Sequence, residues 1–209
     1  AITLFHEFGH AMHGILTDVT YGSMAGTSGP RDFIELPSQL LEHWVSEPEV
    51  LKSFATHYET GETIPDELIE KLLKAGKFNQ GFINTEYLAA SLLDMDWHTM
   101  SEVDAQNISN NFEKNSMNKI GLIDEIAPRY RSTYFAHIFS GGYSSGYYSY
   151  VHAAVLDSDA FEAFKEVGNV FDPELSSKLR KEIYEKGSTE EAMDLYVNFR
   201  GRKPIIEPL

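Results

Sequence analysis

Apolar residues recur at intervals of three and four along most of this chain, the spacing that lines one face of an α-helix. The clearest case is PDELIEKLLKAGKF, where Thr63-Ile64-Pro65-Asp66 supplies the start signal. ITLFHEFGHAMHGIL predicts a first helix running to about Thr17, and VTYGSMAGTSGPR then reads as a short extended piece and a Gly/Ser loop. A second helix is expected from near Asp32 through FIELPSQLLEHWV, and a third in PEVLKSFATHY. Two long helices are expected over 79–100 and 104–120, another from about Tyr147 to Val167, and two more near 173–186 and 188–200. STYFAHIF is the exception, rich in β-branched and aromatic residues, and predicts a strand running into a glycine turn at Gly141-Gly142. The class is mainly α with a little β. Nothing repeats and no low-complexity linker divides the chain, so 1–209 reads as one domain.

Composition narrows the partners. A formal charge of −15 argues against a nucleic-acid partner and for a soluble, acidic protein. No apolar run reaches membrane-spanning length, so no membrane partner is expected. A cytoplasmic location is the expectation for the parent protein. There are no cysteines, so a metal here must be held by histidine and carboxylate. The chain opens at Ala1 already inside the first helix, which reads as a piece of a longer protein whose N-terminal portion lies elsewhere.

Within that first helix lies HEFGH: His6, Glu7 and His10. Histidines at i and i+4 project from one helix face, one turn apart, and can give two nitrogens to a single zinc. Glu7 lies about 100° round the helix from His6, placed to reach water at the metal without being a ligand. The alternative is a surface helix carrying ordinary polar residues, and the apolar setting argues against it. A hydrolytic zinc has three protein ligands and a fourth position for water. The metzincin arrangement is excluded, because its glycine and third histidine would fall on His13 and Leu16. His13 shares a face with His10, but seven residues of helix rise about 10 Å, too far for His6 and His13 to share one metal. It reads as a neighbour of the ligands or a packed polar residue. The third ligand must come from another element, where Asp32, Glu35 and Glu42 are the nearest carboxylates downstream. Asp32 and Glu35 also have the spacing of a capping box, and Glu42 could be a solvated surface charge. Spacing alone does not choose among them.

HEFGHAMH followed by GTSGPRDFIELPSQLLEHW resembles the thimet oligopeptidase and peptidyl-dipeptidase family of zinc metallopeptidases. YFAHIFSGGYSSGYYSY and the terminal NFRGRKP resemble later segments of the same family, in a form closest to the bacterial peptidyl-dipeptidases. The resemblance covers the whole chain through separated motifs in order, and departs at Ser145, where alanine is frequent, and at His152, where tryptophan is frequent. It implies a zincin-like, multi-helical catalytic domain with a small β element near the zinc site. It implies one zinc ion per chain held by His6, His10 and Glu35, with Glu7 as general base.

The resemblance also gives roles to His137, Tyr143, Tyr147 and Tyr150, which on their own read as interior packing. In the family, matching residues line the cleft opposite the zinc, where phenol and imidazole donors stabilise the oxyanion and fix the substrate backbone. Tyr150 and His137 come first, and Tyr148 should face away. The glycine pair would let this loop move over a bound peptide, and Gly26-Thr27-Ser28-Gly29 would offer it backbone groups. The implied activity is hydrolysis of short peptides with release of C-terminal dipeptides. The rivals are an oligopeptidase that cleaves internally and a folded piece without a competent cleft, the missing N-terminal portion completing it.

Overall fold

The computed structural model describes residues 1–102 and 111–209. They group into two compact units, one of Ala1–Gly76 with His152–Leu209 and the other of Lys77–Val151.

The first unit is built around α1 (Ile2–Leu16) and α2 (Arg31–Val45), which pack against each other. Two 3₁₀ turns, Gly22–Met24 and Gly26–Ser28, make up the Gly/Ser loop that joins them, and Tyr21 just before it has extended backbone. The second turn is tied to the end of α1, where Thr17 Oγ1 accepts from the Gly26 amide at 2.9 Å. Helices α3 (Pro48–Phe54) and α4 (Asp66–Ala75) follow, joined by one antiparallel bridge between Thr56 and Thr63.

Phe33, Leu36 and Leu40 of α2 enter the main core at helical spacing. They meet Leu156, Ala160 and Phe164 of the long helix α8 (Ser149–Val167). Helix α9 (Pro173–Leu179), its π-helical continuation Arg180–Tyr184, and α10 (Ala192–Arg200) close this core with Ile183, Leu195, Tyr196 and Phe199. Asp172 caps α9 by accepting from the Leu175 amide at 2.8 Å. Glu35, Asp157 and Asp159 are the buried carboxylates of this unit. Asp159 is saturated by the Tyr196 hydroxyl at 2.6 Å and by both terminal nitrogens of Arg202 at 2.5 and 3.0 Å. The terminal FRGR run therefore serves the core by neutralising an interior charge.

The second unit holds α5 (Gln80–His98), α6 (Phe112–Lys119) and α7 (Ala136–Phe139). Part of the helix expected over 104–120 lies outside the described residues, and the remainder is α6. The strand expected in STYFAHIF is corrected: Ser132–Tyr134 is a 3₁₀ turn and α7 follows it. Phe135 and Ile138 are both buried, and a separation of three places them on one side of a helical turn but on opposite faces of a strand. Packing against Ala90 and Tyr147 therefore overrides the β propensity of the segment. Among the described residues, β structure is limited to the Thr56–Thr63 bridge.

Candidate metal centre

His6 and His10 stand one turn apart on α1, with ring centroids 4.9 Å apart and planes at 86°. Both Nε2 atoms face the same oxygen, Glu35 Oε2, each at 3.4 Å. The three donor atoms lie within 4.8 Å of one another, and they are the one such cluster among the described residues. A tetrahedral ion with bonds of about 2.0–2.1 Å requires donor–donor spacings of roughly 3.3–3.4 Å. The two nitrogen–oxygen edges match that spacing and are too long for ordinary hydrogen bonds. Two imidazoles and a carboxylate are also the donor set zinc takes in hydrolases. The residues fit the ion.

Why the helices approach this closely is visible at Gly9, in the middle of HEFGH. A β-carbon there would lie 2.4 Å from Ser38 Cα and 2.5 Å from Pro37 O. The absent side chain lets α1 rest on the backbone of α2, directly beside the turn that carries Glu35. Glu35 itself is fully buried, and Ser38 Oγ donates to its carboxylate at 3.2 Å and to its carbonyl at 2.9 Å. The capping-box reading of Asp32 and Glu35 does not hold, since the N-cap of α2 is Pro30 and no side chain caps the helix.

Glu42, two turns further along α2, reaches His6 Nδ1 at 2.6 Å. An ionised carboxylate can only accept, so Nδ1 carries the proton and Nε2 presents its lone pair toward Glu35. That hydrogen bond is the main reason the His6 pKa is raised above its ordinary value, burial working against it. Glu7 is exposed on the same helix. His13 is buried edge-on to Tyr184, its pKa lowered by burial to about 4, and it is a packed neutral ring outside the cluster.

In the second unit the four other expected residues share one aromatic cluster. Tyr143 stacks on Tyr150 at 5.3 Å, Tyr147 meets Tyr150 edge-on at 5.3 Å, and His137 meets Tyr147 at 5.7 Å. Tyr147 is buried, and burial drives its phenol far above the ordinary tyrosine range. His137, Tyr143 and Tyr150 are partly exposed, and His137 Nδ1 finds no partner among the described residues. Tyr148 turns outward.

A sequence model of peptidase family M3 matches residues 1–209. The chain belongs to peptidase family M3. It is 43% identical over 209 residues to the dipeptidyl carboxypeptidase of Escherichia coli strain K12, covering all of this chain and 30% of that protein. It is 39% identical over 211 residues to oligopeptidase A of the same strain, covering 31% of it. With oligopeptidase A of Haemophilus influenzae the identity is 38% over 208 residues, covering 99% of this chain and 30% of the relative. The chain thus spans about a third of the length of these curated M3 relatives. Family M3 peptidases are metallopeptidases, and among the described residues no helix is long and apolar enough to cross a membrane.

Sequence reasoning missed two residues of this M3 chain. Gly9 was legible only as an unspecified position in the motif, although a glycine inside a helix is a signal of close backbone approach. Asp94, a buried acid in the run SLLDMDW, accepts from the Ser145 amide at 3.0 Å and the Tyr147 amide at 2.9 Å. His98 Nδ1 lies 2.7 Å from the same carboxylate. The clamp holds Ser145 at φ 55°, a left-handed conformation that side chains other than glycine rarely take. The tyrosine loop is thus tied to α5 at two successive points.

Proposed function

We propose that the protein is a zinc peptidase that hydrolyses short peptides and releases dipeptides from their C-termini. The observation that carries it is the convergence of His6, His10 and Glu35 on one point, with Glu42 fixing the tautomer of His6. Zinc, when bound by these three residues, supplies Lewis-acid polarisation of water and of the scissile carbonyl. Glu7 takes the proton of the attacking water on its carboxylate and delivers it to the leaving amine nitrogen. Glu42 keeps the Nδ1 proton of His6 in place throughout. His137, Tyr143 and Tyr150, the partly exposed members of the aromatic cluster, offer imidazole and phenol donors to the substrate, with buried Tyr147 positioning their rings. No covalent intermediate is needed.

Greater identity to a dipeptidyl carboxypeptidase than to the two oligopeptidases supports dipeptide release. Internal cleavage is the second reading, favoured by the 38–39% identity to those oligopeptidases. The rest of the relatives' length is proposed to complete the cleft. The outward apolar residues of α1, with Leu4 70% and Ile15 73% exposed, support a covering portion. A cytoplasmic location belongs to the same proposal.

The test is mass analysis of products from the full-length, zinc-loaded protein on an unblocked peptide, beside the Glu7→Gln variant. Successive loss of C-terminal dipeptides, abolished by Glu7→Gln at equal zinc content, is expected. Internal products would overturn dipeptide release, and turnover that survives Glu7→Gln would overturn the mechanism.

A further inference from the structure

The two histidines of the metal centre are supported unequally. His6 gives its Nδ1 proton to Glu42 at 2.6 Å, and this leaves its Nε2 lone pair for the ion. His10 points Nε2 at the same Glu35 oxygen, so its Nδ1 must also carry the proton when the ion is bound. That nitrogen is buried and makes no hydrogen bond among the described residues. A buried N–H without an acceptor is costly, and a ligand histidine whose far nitrogen is unheld can turn away from its metal.

The next polar side chain on this helix toward its C-terminus is His13. It lies three residues beyond His10, where side chains of a helix are neighbours with β-carbons about 5–6 Å apart. His13 is buried, and it shares the inward face of α1 with Gly9, the residue that rests on α2. Neither of its ring nitrogens has a hydrogen-bond partner. Burial, and then the nearby His10, lower its pKa, so the ring is neutral and keeps one nitrogen lone pair as an acceptor.

Three orphaned nitrogens thus sit on two adjacent buried faces of one helix. Buried polar groups are satisfied almost without exception, and where two of them stand too far apart to bond directly, a bound water is the usual link. No direct hydrogen bond joins His10 to His13.

We propose that His13 is a positioning residue for the zinc ligand His10, accepting its Nδ1 proton through one buried water. The water accepts from His10 and donates to His13, and so satisfies two of the three nitrogens. His6 is then held by a carboxylate and His10 by a neutral relay. The inference rests on the zinc-binding part of the reading above and not on which peptide bond is cut, because its test reads metal affinity and atomic positions.

Zinc affinity of the full-length protein is measured by chelator competition for wild type, His13→Phe and His13→Gln. His13→Phe keeps a ring to pack against Tyr184 and removes both nitrogens. It should weaken zinc binding about 10-fold, the low end for a group behind a ligand, because the acceptor is neutral. His13→Gln, which keeps hydrogen-bonding atoms, should recover part of that loss. Wild-type affinity in His13→Phe would overturn the proposal. Equal weakening in both variants would also overturn it, since that pattern reports packing alone. A high-resolution crystal structure of the zinc-loaded wild type decides the matter even if a variant fails to fold. Water within hydrogen-bonding distance of His10 Nδ1 and of a His13 nitrogen is expected. His10 Nδ1 bonded directly to some other acceptor, or no water between the rings, would overturn the relay while the zinc reading stood. A wild type that takes up no zinc would remove the zinc reading itself, and this inference with it.

Discussion

Gly9 of α1 and Ser38 of α2 are so close that a β-carbon on the first would lie 2.4 Å from the Cα of the second. This one crossing brings the histidines of one helix to the carboxylate of the other. Gly→Ala in a helix interior ordinarily stabilises by about 1 kcal/mol, and here the sign should reverse. Gly9→Ala is expected to lower the melting temperature and weaken zinc retention together. Gly14→Ala is the control, since a β-carbon there meets nothing within 4 Å, and it should raise stability slightly. Thermal melts and chelator competition on both variants measure the contrast.

Glu35 and Glu42 sit two turns apart on α2 and should separate cleanly by metal analysis. Glu35→Gln removes a charged oxygen from the cluster and should leave little zinc bound after dialysis. Glu42→Gln removes only the acceptor behind His6 and should weaken affinity by about 10- to 100-fold while keeping a one-to-one site. The reverse order would make Glu42 the ligand and Glu35 the support.

His13 carries a pH dependence of known sign. Its pKa falls from 6.5 to about 4 in the folded chain because burial disfavours the charged ring. Between those values the unfolded chain takes up a proton that the folded chain refuses, so stability falls as pH drops from 6.5 toward 4. The full loss is about 3 kcal/mol, at roughly 1.4 kcal/mol per pH unit. His13→Leu should remove this component. Metal-free urea melts of both proteins at pH 7 and pH 4.5 isolate it, and equal slopes with pH would refute it.

Asp94 should control the order of the tyrosine loop. Asp94→Ala frees the amides of Ser145 and Tyr147 and leaves Ser145 in a left-handed conformation without its anchor. Hydrogen exchange at those two amides is expected to speed up markedly, with α5 elsewhere little changed. Unaltered protection would mean that the surrounding rings, rather than the carboxylate, hold the loop.

The sequence by itself determined the helical class and the i, i+4 placement of His6 and His10, and it carried the resemblance that singled out Glu35. These are local facts: i, i+4 geometry and apolar periodicity are properties of a single helix and need no partner to be read. Glu42 was also legible in part, standing seven residues beyond Glu35 on a similar face. Only the tertiary structure decided that 132–139 turns helically, because burial of Phe135 and Ile138 on one side outweighs residue preference. It alone revealed Gly9 as the contact point and Asp94 as the clamp of the loop. Each of those roles depends on a residue distant in sequence, and no spacing along the chain encodes which distant backbone will be met. Asp94 is some fifty positions from the amides it binds, and Gly9 nearly thirty from the serine it rests on. Helices are written locally, and the places where they touch are set by the packing that buries their apolar faces.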